Sequence, residues 1–153
     1  MNDAAGGKTS VNVLLVEDNP GDVRLTRETL CDPGNSTVLH VAADGVEALA
    51  FLRHEGVHLH APRPDLILLD LNLPRIDGRE VLAQIKRDED LKTIPTLILT
   101  TSDAEADILQ SYRLQANAYL TKPGQLEAFE SLVRGIRNFW VLEAKLPPRG
   151  DTR

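Results

Sequence analysis

The chain has few of the features that assign a sequence to a special structural class. Cys31 is the only cysteine among 153 residues, so no disulfide can form within the chain, and aromatic residues make up only 4%. No stretch approaches the roughly 18 consecutive apolar residues of a membrane span, and residues 1–10 lack the apolar centre of a signal peptide. These absences predict a cytoplasmic protein without a membrane-spanning segment.

The chain also has fewer positively charged than negatively charged residues. The chain carries 17 lysine and arginine residues against 23 aspartate and glutamate residues, a formal net charge of -6, and it has no run of basic residues. Nucleic acid is therefore not expected as a direct ligand. With 42% hydrophobic residues and no break in composition, we expect one domain over residues 11–142, between a flexible segment 1–10 and a tail 143–153.

What the chain does have is a regular alternation of apolar strands and amphipathic helices. Five such strand–helix units of about 20 to 30 residues each predict an α/β fold. Right-handed crossovers and short connections then favour a doubly wound, five-stranded parallel sheet with helices on both faces. The predicted strands are 11–16, 37–42, 66–70, 96–100 and 118–120, and the predicted helices are 22–30, 46–53, 79–87, 104–114 and 126–140.

Four of the predicted strands lead into a residue that suits phosphate chemistry. Glu17 and Asp18 follow the first strand, and Asp70 ends the third. Thr100 ends the fourth strand, and Lys122 comes shortly after the fifth. In an open parallel sheet the carboxyl ends of the strands share one edge, so these residues are expected to meet in one crevice.

Three carboxylates in one crevice require a counter-ion. Like charges about 4 Å apart repel by about 4 kcal/mol at an effective dielectric constant near 20, so Glu17, Asp18 and Asp70 cannot all stay ionised without a cation. Oxygen ligands of this kind suit Mg²⁺ or Mn²⁺ better than zinc. Asp70 is then the candidate nucleophile toward phosphorus, with Lys122 and Thr100 as partners of the phosphoryl oxygens.

Each of these residues also has a purely structural interpretation. An aspartate after a strand often caps the next helix, and a Lys-Pro pair often ends a strand at the surface. We favour the functional interpretation because the residue types coincide at the same ends of strands one, three, four and five.

Four segments carry a family resemblance, and they contain the same residues. They are VLLVEDNP at 13–20, DLNLP at 70–74 followed by Asp77-Gly78, TTS at 100–102, and YLTKP at 119–123. These segments and their spacing resemble the receiver domain of two-component response regulators, over about residues 11–138. The resemblance implies a flavodoxin-like receiver fold with strand order 2-1-3-4-5.

The resemblance also implies a role for each acidic residue. Asp70 would accept a phosphoryl group from a phosphohistidine of a sensor histidine kinase. Asp18 would bind Mg²⁺ directly, Glu17 would act mainly through water, and Asn72 would offer its backbone carbonyl. The chain would then be a phosphoacceptor in signalling rather than a turnover enzyme.

Three further residues receive roles in the same way. Thr100 and Lys122 would bind the phosphoryl oxygens. As Thr100 moves toward the phosphate, Tyr119 would swing from an exposed to a buried position, whereas its structural interpretation is an ordinary packed aromatic. The surface of the fourth helix, fifth strand and fifth helix would then change its protein partner.

A narrower resemblance concerns the single-domain regulators paired with bacterial and cyanobacterial phytochromes. It rests on EDNPGD at 17–22, PRPD at 62–65, DGREVL at 77–82, and FW at 139–140 followed by LP at 146–147. It implies a bacteriophytochrome kinase as partner, and a homodimer. Half of the aromatic residues lie in the long last helix, which favours an apolar patch for a second copy. The alternative is a tail that folds back on its own core.

Other functions stay open from sequence alone. One is a scaffold that works without phosphorylation. Another is a phosphatase of the haloacid dehalogenase type, although that class uses Asp-x-Asp where this chain has Asp70-Leu71-Asn72. Residues 7–9 resemble the end of a phosphate-binding loop but precede a strand instead of following one. The few residues after Pro123 leave no room for an output domain, so we expect signalling by binding or within a phosphorelay.

The histidines of one predicted loop offer a further metal hypothesis. They are His54, His58 and His60. No nearby carboxylate or cysteine completes a transition-metal site in the sequence, so a solvated loop is the favoured interpretation.

Overall fold

Five strands and five α-helices alternate along the part of the chain described by a computed structural model, residues 10–34 and 36–149. The strands are β1 (Val11–Val16), β2 (Thr37–Ala42), β3 (Leu66–Leu69), β4 (Thr96–Thr100) and β5 (Ala118–Thr121). The helices are α1 (Pro20–Leu30), α2 (Gly45–Leu52), α3 (Gly78–Arg87), α4 (Glu105–Arg113) and α5 (Leu126–Ile136). Of the segment 1–10 predicted to be flexible, all but Ser10 lies outside the described residues.

The strands form one parallel sheet in the order β2-β1-β3-β4-β5. The predicted doubly wound α/β fold and its 2-1-3-4-5 order are therefore confirmed. Near the carboxyl edge, Val16 of β1 pairs with Ala42 on one side and with Leu69 of β3 on the other. This register aligns the ends of the central strands, so that the residues that follow them lie at one edge of the sheet.

The central strand β3 is buried along its whole length, as its unbroken apolar sequence predicts. Its alternate side chains enter two separate cores. Ile67 and Leu69 pack on the side of α2 and α3, whereas Leu66 and Leu68 pack on the side of α1 and α5. Helices on both faces thus hold the sheet rigidly beneath the residues at its carboxyl edge.

Two helices differ from their predicted extents by more than one residue at an end. Helix α1 begins at Pro20 rather than at residue 22, because the Asn19 side chain accepts a hydrogen bond from the Asp22 N–H at 2.9 Å and proline suits the first helical position. The last helix changes after Ile136 into a π-helical segment, Arg137–Glu143, which the periodicity of apolar residues did not indicate. Leu126, in the first turn of α5, is exposed.

The start of α3 packs unusually close to the chain that follows β3. A Cβ atom on Gly78 would lie 2.1 Å from the carbonyl oxygen of Asp70 and 2.6 Å from Cα of Leu71. The Gly78 N–H donates to the carbonyl of Leu71 at 2.9 Å. Glycine therefore permits a close approach that fixes the backbone on either side of Asp70.

In the described part of the chain, none of the helices combines the length and the apolar character that crossing a bilayer would require.

Candidate functional site

Three carboxylates converge at the carboxyl edge of the sheet. Oxygen atoms of Glu17, Asp18 and Asp70 all lie within 4.8 Å of one another, and these residues are the one acidic or histidine-containing group in the described chain with the spacing of a metal site. Glu17 and Asp70 are buried, whereas Asp18 is exposed. The predicted carboxylate cluster is therefore present, with one side open to solvent.

Backbone groups next to the strand ends orient the two buried carboxylates. The Asn19 N–H donates to Oε2 of Glu17 at 3.1 Å, and the Asn72 N–H donates to Oδ1 of Asp70 at 3.2 Å. The Asp70 N–H in turn donates to the carbonyl of Val16, which ties the loop after β3 to the end of β1. Asn72 thus lies beside the cluster, although its carbonyl as a metal ligand remains a prediction.

The ammonium group of Lys122 lies among these carboxylates and donates three hydrogen bonds. Its Nζ is 2.5 Å from Oε1 of Glu17, 3.1 Å from Oδ2 of Asp70 and 2.9 Å from Oδ2 of Asp22. The Lys122 side chain is only 5% exposed. This ammonium compensates part of the buried negative charge.

Burial and charge act in opposite directions on these groups. Burial alone would lower the pKa of Lys122, but its bonds to Glu17 and Asp22 and the charge of Asp70 outweigh burial and raise the pKa above its usual value. Burial raises the pKa of Glu17, and Lys122 offsets only part of that increase. Lys122 therefore stays charged among the carboxylates, whereas burial works against the ionised form of Glu17.

Asp22 is a site residue that the sequence did not predict. It lies in the first turn of α1, with its side chain 27% exposed, and it reaches Lys122 across 100 positions of sequence. A carboxylate in the first turn of the helix that follows the acidic loop was the available signal. Its usual interpretation, a favourable interaction with the helix dipole, conceals the contact with Lys122.

Thr100 brings a hydroxyl group to the same edge. The residue is fully buried, and its Oγ1 is a buried side-chain oxygen that has no hydrogen-bond partner among the residues that the structure describes. An unpaired buried hydroxyl costs roughly 1 to 3 kcal/mol, so its presence calls for a partner. The hydroxyl and the surplus of carboxylate oxygens fit a site for a hard divalent cation and a phosphoryl group.

Tyr119 is bonded to the loop that follows Thr100. Its hydroxyl donates to the Ser102 carbonyl at 2.8 Å, and its ring is partly buried against the core on the α3 side of the sheet. The Ser102 hydroxyl donates to Asp107 at 2.6 Å, and Asp107 also accepts from Arg79 of α3 at 2.8 Å. Hydrogen bonds therefore link Tyr119 to the loop after β4, and they link this loop through Asp107 of α4 to Arg79 of α3. The predicted swing of Tyr119 remains a prediction.

Other candidate residues lie apart from this edge. Nε2 of His58 is 2.9 Å from Oε1 of Glu47, and no metal-binding group in the described chain includes His54, His58 or His60. The phosphate-loop-like segment 7–9 lies outside the described residues.

The fold and the site define a class of protein. Residues 13–134 match the response regulator receiver domain, and the chain belongs to this family. The predicted family resemblance is thereby confirmed.

The similar proteins include a phytochrome response regulator. The chain is 49% identical to response regulator Rcp1 of Synechocystis sp. over 135 aligned residues. The aligned region covers 88% of this chain and 92% of Rcp1. The Mn²⁺-bound structure of Rcp1 has a TM-score of 0.88 at 48% identity, over 90% of this chain and 99% of the other. The phosphorylated cyanobacterial phytochrome response regulator RcpA has a TM-score of 0.89 at 48% identity, over 92% and 100%.

Proposed function

We propose that this chain is a single-domain response regulator that accepts a phosphoryl group on Asp70 from a sensor histidine kinase. One observation carries the proposal: three carboxylates, a buried unpaired hydroxyl and a buried ammonium meet at one edge of a receiver fold. The chain then acts as a phosphoacceptor rather than a turnover enzyme. Its signal is a changed surface for another protein.

The acidic cluster would bind Mg²⁺ or Mn²⁺. Glu17, Asp18 and Asp70 supply carboxylate oxygens, and Asn72 supplies its backbone carbonyl. The Mn²⁺-bound form of the relative Rcp1 supports this assignment. When bound, the divalent cation supplies charge that stabilises the phosphoryl oxygens.

Phosphoryl transfer requires little of the protein beyond placement of its own groups. A carboxylate oxygen of Asp70 forms a bond to phosphorus while the bond between phosphorus and the donor imidazole nitrogen breaks, and that electron pair stays on the nitrogen. Lys122 and the hydroxyl of Thr100 then bind phosphoryl oxygens. Both groups already lie at the edge of the sheet that carries Asp70.

The conformational signal would pass through the loop after β4. Movement of the Thr100 hydroxyl toward a phosphoryl oxygen displaces the chain between Thr100 and Ser102, to which the Tyr119 hydroxyl is bonded. The exposed apolar side chains of Leu109 and Tyr112 on α4 lie beyond this loop. We therefore place the changed partner surface on α4, β5 and α5.

The kinase partner is inferred from the relatives. RcpA is a phytochrome response regulator, and a bacteriophytochrome-type kinase is the corresponding partner for this chain. The chain also has the apolar surface that a homodimer needs, because Phe139 and Leu142 of the π-helical segment are 55% and 56% exposed. We propose that these two side chains contact a second copy.

The tail provides the alternative to dimerisation that the sequence left open. Arg149 donates from Nε to Oδ1 of Asp65 at 2.8 Å and from Nη2 to the Ser10 carbonyl at 2.5 Å, so the tail does fold back on its own domain. This contact leaves Phe139 and Leu142 uncovered. Folding back and dimerisation are therefore compatible.

The other two functions have less support. A haloacid dehalogenase phosphatase needs a second aspartate where Asn72 stands. A scaffold independent of phosphorylation has no use for a buried unpaired hydroxyl beside an acidic cluster.

Phosphoryl transfer from a phosphorylated bacteriophytochrome kinase, followed with radiolabelled phosphate, tests the proposal. We expect label on the wild-type chain with Mg²⁺ and none after chelation. The matched control is Asp90→Asn, which changes an exposed carboxylate in the loop before β4, at the opposite edge of the sheet, and should label normally. Labelling that continues without a divalent cation would contradict the proposal.

A further inference from the structure

We infer that Asp22 is a positioning residue that competes with the phosphoryl group for the ammonium of Lys122. The inference rests on the proposed function and adds to it an element of regulation. Asp22 lies outside the group of carboxylates that could hold a metal. Its charge should strengthen the binding of a cation and weaken the binding of a phosphoryl group.

The ammonium of Lys122 can donate only a limited number of hydrogen bonds. Lys122 has three N–H donors, and Glu17, Asp70 and Asp22 engage all three. A phosphoryl oxygen can bind Lys122 only if one of these carboxylates gives up its bond. The affinity for a phosphoryl group therefore depends on how firmly the displaced carboxylate holds the ammonium.

Asp22 differs from the other two partners of Lys122. Glu17 and Asp70 have side chains only 3% and 9% exposed and belong to the acidic group that could hold a metal. Asp22 lies outside that group, and its side chain is 27% exposed. A divalent cation held by Glu17 and Asp70 would compete with Lys122 for those two carboxylates, whereas Asp22 would remain a partner of the ammonium.

Asp22 also contributes to the total charge around Asp70. With Lys122 as the single ammonium, the carboxylates of Glu17, Asp18, Asp22 and Asp70 leave a surplus of negative charge. Asp22 adds to the attraction for a cation, but it repels the dianionic phosphoryl group and draws Lys122 toward α1. Removing its charge should weaken metal binding and strengthen phosphoryl binding.

The variant Asp22→Asn separates these two effects while preserving the shape of the side chain. We would measure Mn²⁺ affinity by titration calorimetry, and then the affinity for fluoroberyllate, a phosphoryl mimic, at saturating Mg²⁺. Because the side chain of Asp22 is partly exposed and its charge is therefore screened by solvent, we expect Mn²⁺ to bind about threefold more weakly and fluoroberyllate about threefold more tightly.

Two further variants provide controls. Glu28→Gln removes an exposed carboxylate from the same helix, where it pairs only with Arg24, and should change neither affinity. Asp22→Glu keeps the charge next to Lys122 and should return both affinities toward the wild-type values. Circular dichroism would verify that each variant is folded.

The possible outcomes distinguish this inference from the proposed function. If the wild-type chain binds neither Mn²⁺ nor fluoroberyllate, the proposed function itself fails. If the wild-type chain binds both and Asp22→Asn leaves both affinities unchanged, Asp22 does not compete and the inference is wrong. If the variant weakens both together, Asp22 only supports the structure of the site, and the inference is wrong as well.

Discussion

Lys122 shows how a single buried charge can serve both stability and function. Its ammonium is 5% exposed and touches three carboxylates, two of which are also buried. Taking such charges out of water is costly, and the cost is offset only while every charge has a partner. Lys122, which would bind the phosphoryl group, therefore also contributes to the stability of the folded chain.

Replacing Lys122 with alanine tests this dual role. We expect the variant to lose about 3 kcal/mol of unfolding free energy in the absence of metal, because Glu17 and Asp70 are left buried without a cation. Mg²⁺ should restore part of the loss, since it binds the folded state only. Urea unfolding with and without Mg²⁺ measures both effects.

A second lysine supplies the comparison for that experiment. Lys92 pairs with Glu89 at the surface, and Lys92→Ala should change the unfolding free energy by less than about 1 kcal/mol. This difference from the wild-type chain should be the same with and without Mg²⁺. Equal losses in the two variants would contradict the account of Lys122.

Most of the site could be predicted because its residues directly follow buried strands. The apolar runs before Glu17, Asp70 and Thr100 locate them at the carboxyl edge of the sheet without further information. Asp22 could not be found in this way, because its role depends on a contact with Lys122 across 100 positions. Pattern and spacing report on local structure, whereas that contact exists only once the sheet is assembled.

At the scale of elements, the connection from β3 to α3 determines the geometry of the acceptor. Helix α3 begins so close to the loop that a side chain on Gly78 would meet the carbonyl of Asp70 at 2.1 Å. The backbone around Asp70 is thus held by packing as well as by the sheet. A change in α3 that is not part of the site should nevertheless disturb it.

Gly78→Ala tests this coupling between an element and the site. We expect a loss of about 1 to 3 kcal/mol in unfolding free energy from overpacking, together with weaker binding of Mn²⁺ because Asp70 is displaced. Chemical denaturation and metal titration are the measurements.

A glycine in another helix serves as the control. Gly135 lies inside α5, and an added Cβ would meet no atom of the described residues within 4 Å beyond its chain neighbours and the backbone of its own helix. Gly135→Ala should therefore stabilise the chain by up to about 1 kcal/mol and leave Mn²⁺ affinity unchanged. A Gly78→Ala variant with wild-type stability and metal affinity would show that the close approach has no consequence.

Most of the strands and helices could be predicted from the sequence. The strands and most helices follow from the alternation of apolar residues, and the burial of β3 agrees with its unbroken apolar sequence. The exceptions have tertiary or capping causes. Asn19 extends α1 toward its N-terminus, and the π-helical segment 137–143 leaves no signature in apolar spacing.

At the scale of the whole molecule, the end of the chain has two separate roles. Arg149 contacts the buried Asp65, and this contact joins the tail to the amino edge of the sheet. The π-helical segment before it presents Phe139 and Leu142 to solvent. One part of the C-terminal region thus packs against its own domain, while the other forms the surface that we propose for a second copy.

The double variant Phe139→Asp and Leu142→Asp tests the proposed dimer. Charges at both positions would be desolvated in an apolar interface, so we expect sedimentation velocity to show a monomer where the wild-type chain is a dimer. Val57→Asp, at a position that is 93% exposed in the connection between α2 and β3, should leave the dimer intact. A double variant that sediments like the wild-type chain would refute this interface.

The central claim, that Asp70 carries the phosphoryl group, is tested most directly by locating that group chemically. After transfer from a phosphorylated kinase with Mg²⁺ present, borohydride reduction converts a phosphorylated aspartate to homoserine, whose mass marks the site in a peptide digest. The account predicts homoserine at position 70 in the wild-type chain and no phosphoryl uptake in Asp70→Asn. Homoserine at a different position, or undiminished uptake in the variant, would contradict it.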